Sequence, residues 1–228
     1  MFLSKDNQML WRRVRWAALI TAVLVALGIA WYDRPLFVMM RYLDARIWGF
    51  FDAVFDAKVW IISSFVVLLA LCVKKQIKSK DFLKECKTKF NLKCCACDLF
   101  SQIKTSHAFL IFCSVLSAGI IVKILKIFIG RARPVFFEAL DMVGFYPPSL
   151  DWAFNSMPSG HTTVTFAGLV MIGMLAPKYK PLTWGLAIVV GLSRVAIGAH
   201  WPTDVLLGAF IGMLVADIVK YLLLRKSR

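Results

Sequence analysis

SRVAIGAHWPTD, residues 193–204, decides how the chain is read. The twelve residues before it, PLTWGLAIVVGL, and the twelve after it, VLLGAFIGMLVA, carry no charge. Between them stand Arg194, His200 and Asp204. Ionisable groups at the ends of oily helices are costly and are functional candidates by default. Pro202 suits the first turn of a helix, where its missing N–H is not needed. The stretch is therefore a helix end, a short turn and a helix start, predicting helices over about 182–199 and 203–224.

Working outward, the rest of the chain is equally apolar. Of 228 residues, 60% are hydrophobic, with a mean hydropathy of +0.71. Soluble domains run at about 45–50% apolar. Apolar runs near or above about 18 residues mark membrane-spanning helices. The expectation is an all-α polytopic membrane protein, one domain over 1–228, with six transmembrane helices. The spans read as 16–32, 58–73, 107–129, Ser159 to before Pro177, 182–199 and 203–224. A basic start and Gly28 and Ala30 also fit a cleavable signal, but the first run is long and ends in Trp31 and Tyr32, so an uncleaved helix is preferred. Residues 33–57 mix charges with aromatics at helical spacing, as in a helix lying in the interface. Residues 1–106 then hold two spans, this segment and a basic loop; residues 107–228 hold the rest.

Charge orients the set. The formal net charge is +15. In a soluble protein that would suggest nucleic acid; here it sits in flanks and one loop, and no aromatic-basic RNA motif is present. The loop 74–106 has nine lysines against three acids. Six spans place the N-terminus, this loop, the PKYKP turn (177–181) and the C-terminal RKSR on one side, the cytosol by the positive-inside rule. Segments 33–57, 130–158 and 199–203 then face outward.

Four of the six cysteines, Cys86, Cys94, Cys95 and Cys97, lie in that loop; Cys72 and Cys113 do not. A zinc site needs four suitably spaced ligands, to which His107 is one possible addition. Reduced cysteines on a cytosolic face are the preferred reading, and no metal or other cofactor is expected.

On this topology Lys126, Arg133, His161, Arg194, His200 and Asp204 share one depth and the outer leaflet. Three cations facing one pocket repel unless an anion fills it, and a phosphate suits arginine's paired donors. PSGHT (158–162) reads as a helix N-terminus, with Ser159 able to cap and Gly160 leaving its N–H open, a phosphate site by geometry and dipole. Two histidines supply a nucleophile and a proton donor. Asp204, four residues after His200, can hold the attacking tautomer.

K-x6-RP at Lys126 to Pro134, PSGH at 158–161 and SR-x5-H-x3-D at Ser193 to Asp204 resemble the three signature motifs of the type 2 phosphatidic acid phosphatase (PAP2) superfamily, relatives of the vanadium haloperoxidases. The resemblance covers roughly residues 120–210. It implies a PAP2-like catalytic core with His200 as the nucleophile, Asp204 its partner and His161 the general acid. Lys126, Arg133, Ser159, Gly160 and Arg194 would bind phosphoryl oxygens, without a metal. The implied activity is hydrolysis of a membrane lipid phosphate at the outer face of the bacterial inner membrane. Phosphatidylglycerophosphate, phosphatidic acid, undecaprenyl pyrophosphate and lipid A are the candidate substrates.

A phosphotransferase using the same phosphohistidine is the alternative. A transporter is disfavoured because the charges gather at one face, and a vanadate-dependent oxidase because the haloperoxidases are soluble. Outside the motifs, Lys123 is expected to snorkel and His107 to be structural. Glu138, Asp141 and Asp151 read as solvated acids. Arg131 is left open between a lipid head group and no role, and the aromatics of 130–158 between capping the pocket and resting on head groups.

Overall fold

A computed structural model describes residues 1–4, 6–42, 45–78 and 106–224. Helices α1 (Trp11–Leu27), α2 (Asp33–Arg41), α3 (Ala45–Val54) and α4 (Ala57–Lys78) form the first half. Helices α5 (His107–Ile129), α6 (Pro134–Leu140), α7 (Gly160–Leu175), α8 (Lys180–Ala196) and α9 (Pro202–Leu224) form the second. Most of the 74–106 loop, with Cys86, Cys94, Cys95 and Cys97, and the RKSR end lie outside the described residues, so the expectations made for them do too. Cys72 and Cys113 are free thiols.

Helix α7 sits at the centre because its sequence lets neighbours come close. GHTTVTFAGLVMIGML is rich in Gly, Ala and Thr, and small residues are what membrane helices use where backbones approach. It packs against α5, α8 and α9 and, less extensively, α4. The α7–α9 contact is the tightest. Gly208 and Gly212 of α9 form a G-x-x-x-G face. A Cβ on Gly212 would collide with the Thr163 carbonyl oxygen, and one on Gly208 would lie 2.9 Å from that of Ser159. The core between these helices is Leu110, Val115, Ala118, Val164, Ala167, Val170, Met171, Val215 and Ala216. Ser114 Oγ donates to the Ala167 carbonyl across the α5–α7 interface at 3.0 Å.

The outer helices show the opposite pattern. Leu19, Ile20 and Val23 of α1, and Phe65, Val66 and Leu69 of α4, are exposed, as lipid-facing side chains are in a bundle read without its bilayer. Trp31 is 74% exposed, in keeping with an interface anchor. Tyr32, paired with it as an anchor on sequence grounds, instead turns back and donates to the Leu24 carbonyl at 2.6 Å.

Among the described residues four segments are long and apolar enough to cross a membrane: Trp11–Arg41, Arg46–Lys74, His107–Ile129 and Pro202–Leu224. Helices α7 and α8, with 16 and 17 residues, are shorter. The chain differs from expectation after residue 32. The first helix does not end at Tyr32 but passes through a π-helical segment, Gly28–Tyr32, into α2. Gly28 lets this segment meet α9, since a Cβ there would collide with Thr203 Cγ2. The wider π-helical turn re-aims α2, and Asp33 arrives at the start of α9.

Candidate active site

The site is built at helix ends. Ser106 caps α5 through its side chain, accepting from the Phe109 N–H at 3.2 Å. That helix stops at Gly130, whose φ of +59° leaves no room for a side chain beside the Tyr146 carbonyl. Lys126 thus stands in the last turn, and Arg131 and Arg133 follow in extended backbone tied to the 144–156 segment. Ala132 N–H donates to Gly144, Arg133 N–H to Ala153, and Ser156 N–H to the Arg131 carbonyl.

The start of α7 is pinned to the start of α9, since Ser159 N–H donates to the Asp204 carbonyl at 3.0 Å. Ser159 occupies the cap position but does not cap. Its Oγ instead accepts from Thr162 Oγ1 at 2.9 Å. The expectation of a capping serine is therefore corrected: the N–H groups of the first turn are left without that acceptor, the condition under which a helix N-terminus binds an anion. Lys126 lies over the same turn, its Cε 3.6 Å from a Cβ placed on Gly160. Its Nζ donates to the Asn155 carbonyl at 2.5 Å and the Ser156 carbonyl at 3.2 Å.

Arg133 is held by carbonyls as well: Trp152 at 3.0 Å, Ala199 at 3.1 Å and Asn155 at 3.3 Å. Its guanidinium also stacks 4.4 Å over the Trp152 ring. That gives one aromatic of the 130–158 segment a role at the site. Burial lowers the Arg133 pKa from its ordinary value, against the pull of Asp204.

His200 is 2% exposed. The α8–α9 turn positions it, its N–H bonding the Arg194 carbonyl at 3.1 Å. Its Nδ1 faces Asp204 Oδ2 at 3.5 Å. Burial pushes the imidazole pKa well below its ordinary value, and the Lys126 and Arg133 charges push the same way against Asp204. This favours the uncharged ring at neutral pH, the form in which an imidazole nitrogen can act as a nucleophile.

Asp204 is fully buried and well supplied with donors. Oδ1 accepts from Arg131 at 2.7 Å, and Oδ2 accepts from Ser156 Oγ at 2.5 Å and the Trp201 N–H at 2.9 Å. Arg131, left open on sequence grounds, has a defined place. It bridges Asp204 to Asp33 Oδ2 at 2.6 Å and bonds Thr203 Oγ1 at 2.7 Å. Burial opposes its charge, yet the two carboxylates outweigh burial and hold its pKa above the ordinary arginine value. Asp33 in turn accepts from the Thr203 N–H at 3.0 Å and Thr203 Oγ1 at 2.6 Å, which caps α9 from another helix.

Two further acids complete the cluster. Helix α3 packs on α8, bringing Asp52 into direct contact with Arg194 Nη1. The buried Arg194 Nε has no hydrogen-bond partner among the described residues. Asp56 Oδ2 lies 2.7 Å from His161 Nε2, and Asp52 lies 4.0 Å from it. The structure thus gathers every residue singled out from sequence and adds Asp33, Asp52, Asp56, Arg131 and Ser156. Within 33–57 the four acids were masked by balancing charge; the i, i+4 spacing of Asp52 and Asp56 was the available signal. Among the described residues no three His, Cys, Asp or Glu side chains form a metal-ligand set.

The arrangement can seat a phosphoryl group between a helix N-terminus and three cations, with a neutral imidazole on one side and a carboxylate-bonded imidazole on the other. Comparison with known proteins agrees in kind. The family model described as PAP2 superfamily matches residues 107–228. A lipid A 1-phosphatase of Rhizobium etli is 33% identical over 201 residues, 87% of this chain and 81% of that protein. Phosphatidylglycerophosphatase B of Bacillus subtilis is 31% identical over 109 residues, 43% of this chain and 49% of that protein. The fold resembles the crystal structure of a transmembrane PAP2 type phosphatidylglycerolphosphate phosphatase from Bacillus subtilis, with a TM-score of 0.56 at 21% identity, covering 94% of this chain and 98% of that one. With its three motifs brought to one end of a helical bundle, the chain belongs to the PAP2 superfamily.

Proposed function

We propose that the chain is a metal-independent lipid phosphatase that works through a phosphohistidine. The observation that carries this reading is the buried His200, its Nδ1 turned to Asp204. That leaves Nε2 to attack phosphorus as the P–O bond to the lipid breaks. His161 gives its proton to the departing oxygen. Water then attacks the phosphohistidine, passes a proton to His161, and inorganic phosphate leaves with His200 restored. Lys126, Arg133, Arg194 and the first turn of α7 around Ser159 and Gly160 stabilise the charge on the phosphoryl oxygens.

Of the candidate lipids, lipid A 1-phosphate comes first, because the relative bearing that activity matches along 87% of the chain. The six-span topology is retained as part of the reading: α7 and α8 cross as short helices, both termini are cytosolic, and the site faces outward from the bacterial inner membrane. The clustering of Lys126, Arg133, His161, Arg194, His200 and Asp204 at one end of the bundle supports it, together with the basic segments assigned to the other end.

The test is phosphate release by purified protein from lipid A, phosphatidylglycerophosphate, phosphatidic acid and undecaprenyl pyrophosphate, with and without EDTA. His200→Ala and His161→Ala are each expected to lose at least about 10²-fold while remaining folded, and chelation is expected to change nothing. A fully active His200→Ala protein, or activity lost to EDTA and restored by Mg²⁺, refutes the mechanism.

A further inference from the structure

The acid pair Asp52 and Asp56 lies outside the three motifs, yet both side chains face motif residues. Asp56 is the more constrained. It precedes α4 and caps it: Oδ1 accepts from the Lys58 N–H at 2.7 Å. An N-cap carboxylate uses one oxygen for this purpose and satisfies an otherwise orphaned donor. The other oxygen, Oδ2, lies 2.7 Å from Nε2 of His161. One side chain thus fixes the start of a membrane helix and the orientation of an imidazole at the start of another. The His161 side chain is 22% exposed.

We propose that Asp56 is the positioning residue for the proton donor, holding the Nε2–H of His161 so that Nδ1 delivers its proton to the leaving lipid oxygen. The assignment rests on the phosphatase reading above. A proton donor must be an imidazolium with one N–H aimed at the departing oxygen, and a carboxylate on the far nitrogen both stabilises that charge and fixes the ring. The proton leaves from Nδ1 as the P–O bond breaks. It is taken back at Nδ1 from the attacking water, and Nε2–H stays on Asp56 throughout. On the nucleophile side Asp204 Oδ2 lies 3.5 Å from the Nδ1 of His200, so each imidazole faces a carboxylate.

Asparagine provides a clean perturbation. It caps helices about as well as aspartate, so Asp56→Asn keeps the bond to Lys58 while replacing the acceptor that faces His161. The experiment compares wild type, Asp56→Asn and Asp56→Glu on a lipid phosphate and on p-nitrophenyl phosphate, whose phenolate departs with little need of a proton. Asp56→Asn is expected to lower kcat on the lipid by about 10–100-fold, part of what general acid catalysis contributes, with KM little changed. On p-nitrophenyl phosphate the loss is expected to be small, and Asp56→Glu is expected to recover much of the lipid activity. Equal losses on the two substrates, or an Asp56→Asn protein fully active on the lipid, overturn the assignment. A wild-type protein inert on every lipid phosphate overturns instead the reading on which it rests. A melting temperature for Asp56→Asn close to wild type is the accompanying control, and wild-type kcat restored by Asp56→Glu alone supports the carboxylate role even if p-nitrophenyl phosphate proves a poor substrate.

Discussion

Removing Arg131 tests whether the site is held up by a buried ion triad. Its guanidinium makes three short bonds, to Asp33 and Thr203 and to Asp204, at 2.6–2.7 Å. Asp33 and Asp204 are 2% and 0% exposed. Arg131→Ala leaves both carboxylates buried without their cation. Breaking a buried pair by deleting one partner costs about 3–5 kcal/mol, most of it the penalty on the charge left behind. Two such charges remain here, so the upper end is expected. For a chain of this size that corresponds to a fall of about 6–20 °C in melting temperature.

The sharper test is a reversal of sign. Asp33→Asn retains an oxygen for the Thr203 N–H and loses the charge facing Arg131. In the wild-type background it breaks an ion pair and destabilises. In the Arg131→Ala background it removes one of two unpaired buried charges and is expected to stabilise, with a coupling of about 2–3 kcal/mol. The assay is thermal unfolding of the four proteins in one detergent, alongside the half-life of phosphatase activity at a fixed raised temperature, since unfolding of membrane proteins is often irreversible. If Asp33→Asn destabilises both backgrounds equally, the triad reasoning is refuted.

The geometry leads to two other expected outcomes. A dianionic phosphate binding at Arg194 would compete with the Asp52 carboxylate that contacts it; two unit charges 4–5 Å apart at an effective dielectric near 20 repel by about 3–4 kcal/mol, and a dianion doubles this to about 7–8 kcal/mol. Since Asp52 is 27% exposed, solvent screens much of this, and Asp52→Asn is expected to lower KM by about tenfold; a raised KM would contradict the competition. His200 is one of three histidines, so NMR titration of labelled protein, assigned by the signal lost in His200→Ala, gives its pKa directly. Burial favours the neutral ring, so the signal is expected to titrate well below the ordinary histidine value of 6.5, and the nucleophile stays uncharged as pH falls through 6.5. A midpoint at or above 6.5 would be incompatible with a buried neutral base.

The parts of the site that were legible in sequence are those with local spacing. Arg194, His200 and Asp204 sit on one turn, and His161 follows its helix start by a single residue, so position along the chain predicts position in space. Helix boundaries read from charge and proline were good at α5 and α9, where Ser106, Gly130 and Pro202 mark the ends. What spacing does not carry is pairing between distant segments. Arg131 and Asp33 are separated by 98 residues and Arg131 and Asp204 by 73. Nothing in either neighbourhood indicates that these three charged groups will pair with one another. The Ser159 cap failed for a related reason: Thr162 and Ser159 have a choice of partners, and only the packed helix end decides that the hydroxyls bond each other.

The distribution of acceptors around the cations has a consequence for catalysis. Among the described residues at this end of the bundle, Lys126 and Arg133 donate to backbone carbonyls. A carbonyl satisfies an N–H without adding an opposing full charge, so both side chains are oriented in advance. Arg131 is treated the other way and is matched against Asp33 and Asp204. That pairing offsets part of the charge on the carboxylate beside His200. On the proposed mechanism, an Asp204 without Arg131 would face His200 but also repel an incoming phosphate dianion, because like charges at short range in a low dielectric repel strongly. Arg131 lets one carboxylate steady the imidazole at little electrostatic cost to substrate binding. On the proposed mechanism Arg131 acts at one remove from the phosphate: Lys126 and Arg133 are bonded to carbonyls, and the arginine between them is paired with Asp33 and Asp204.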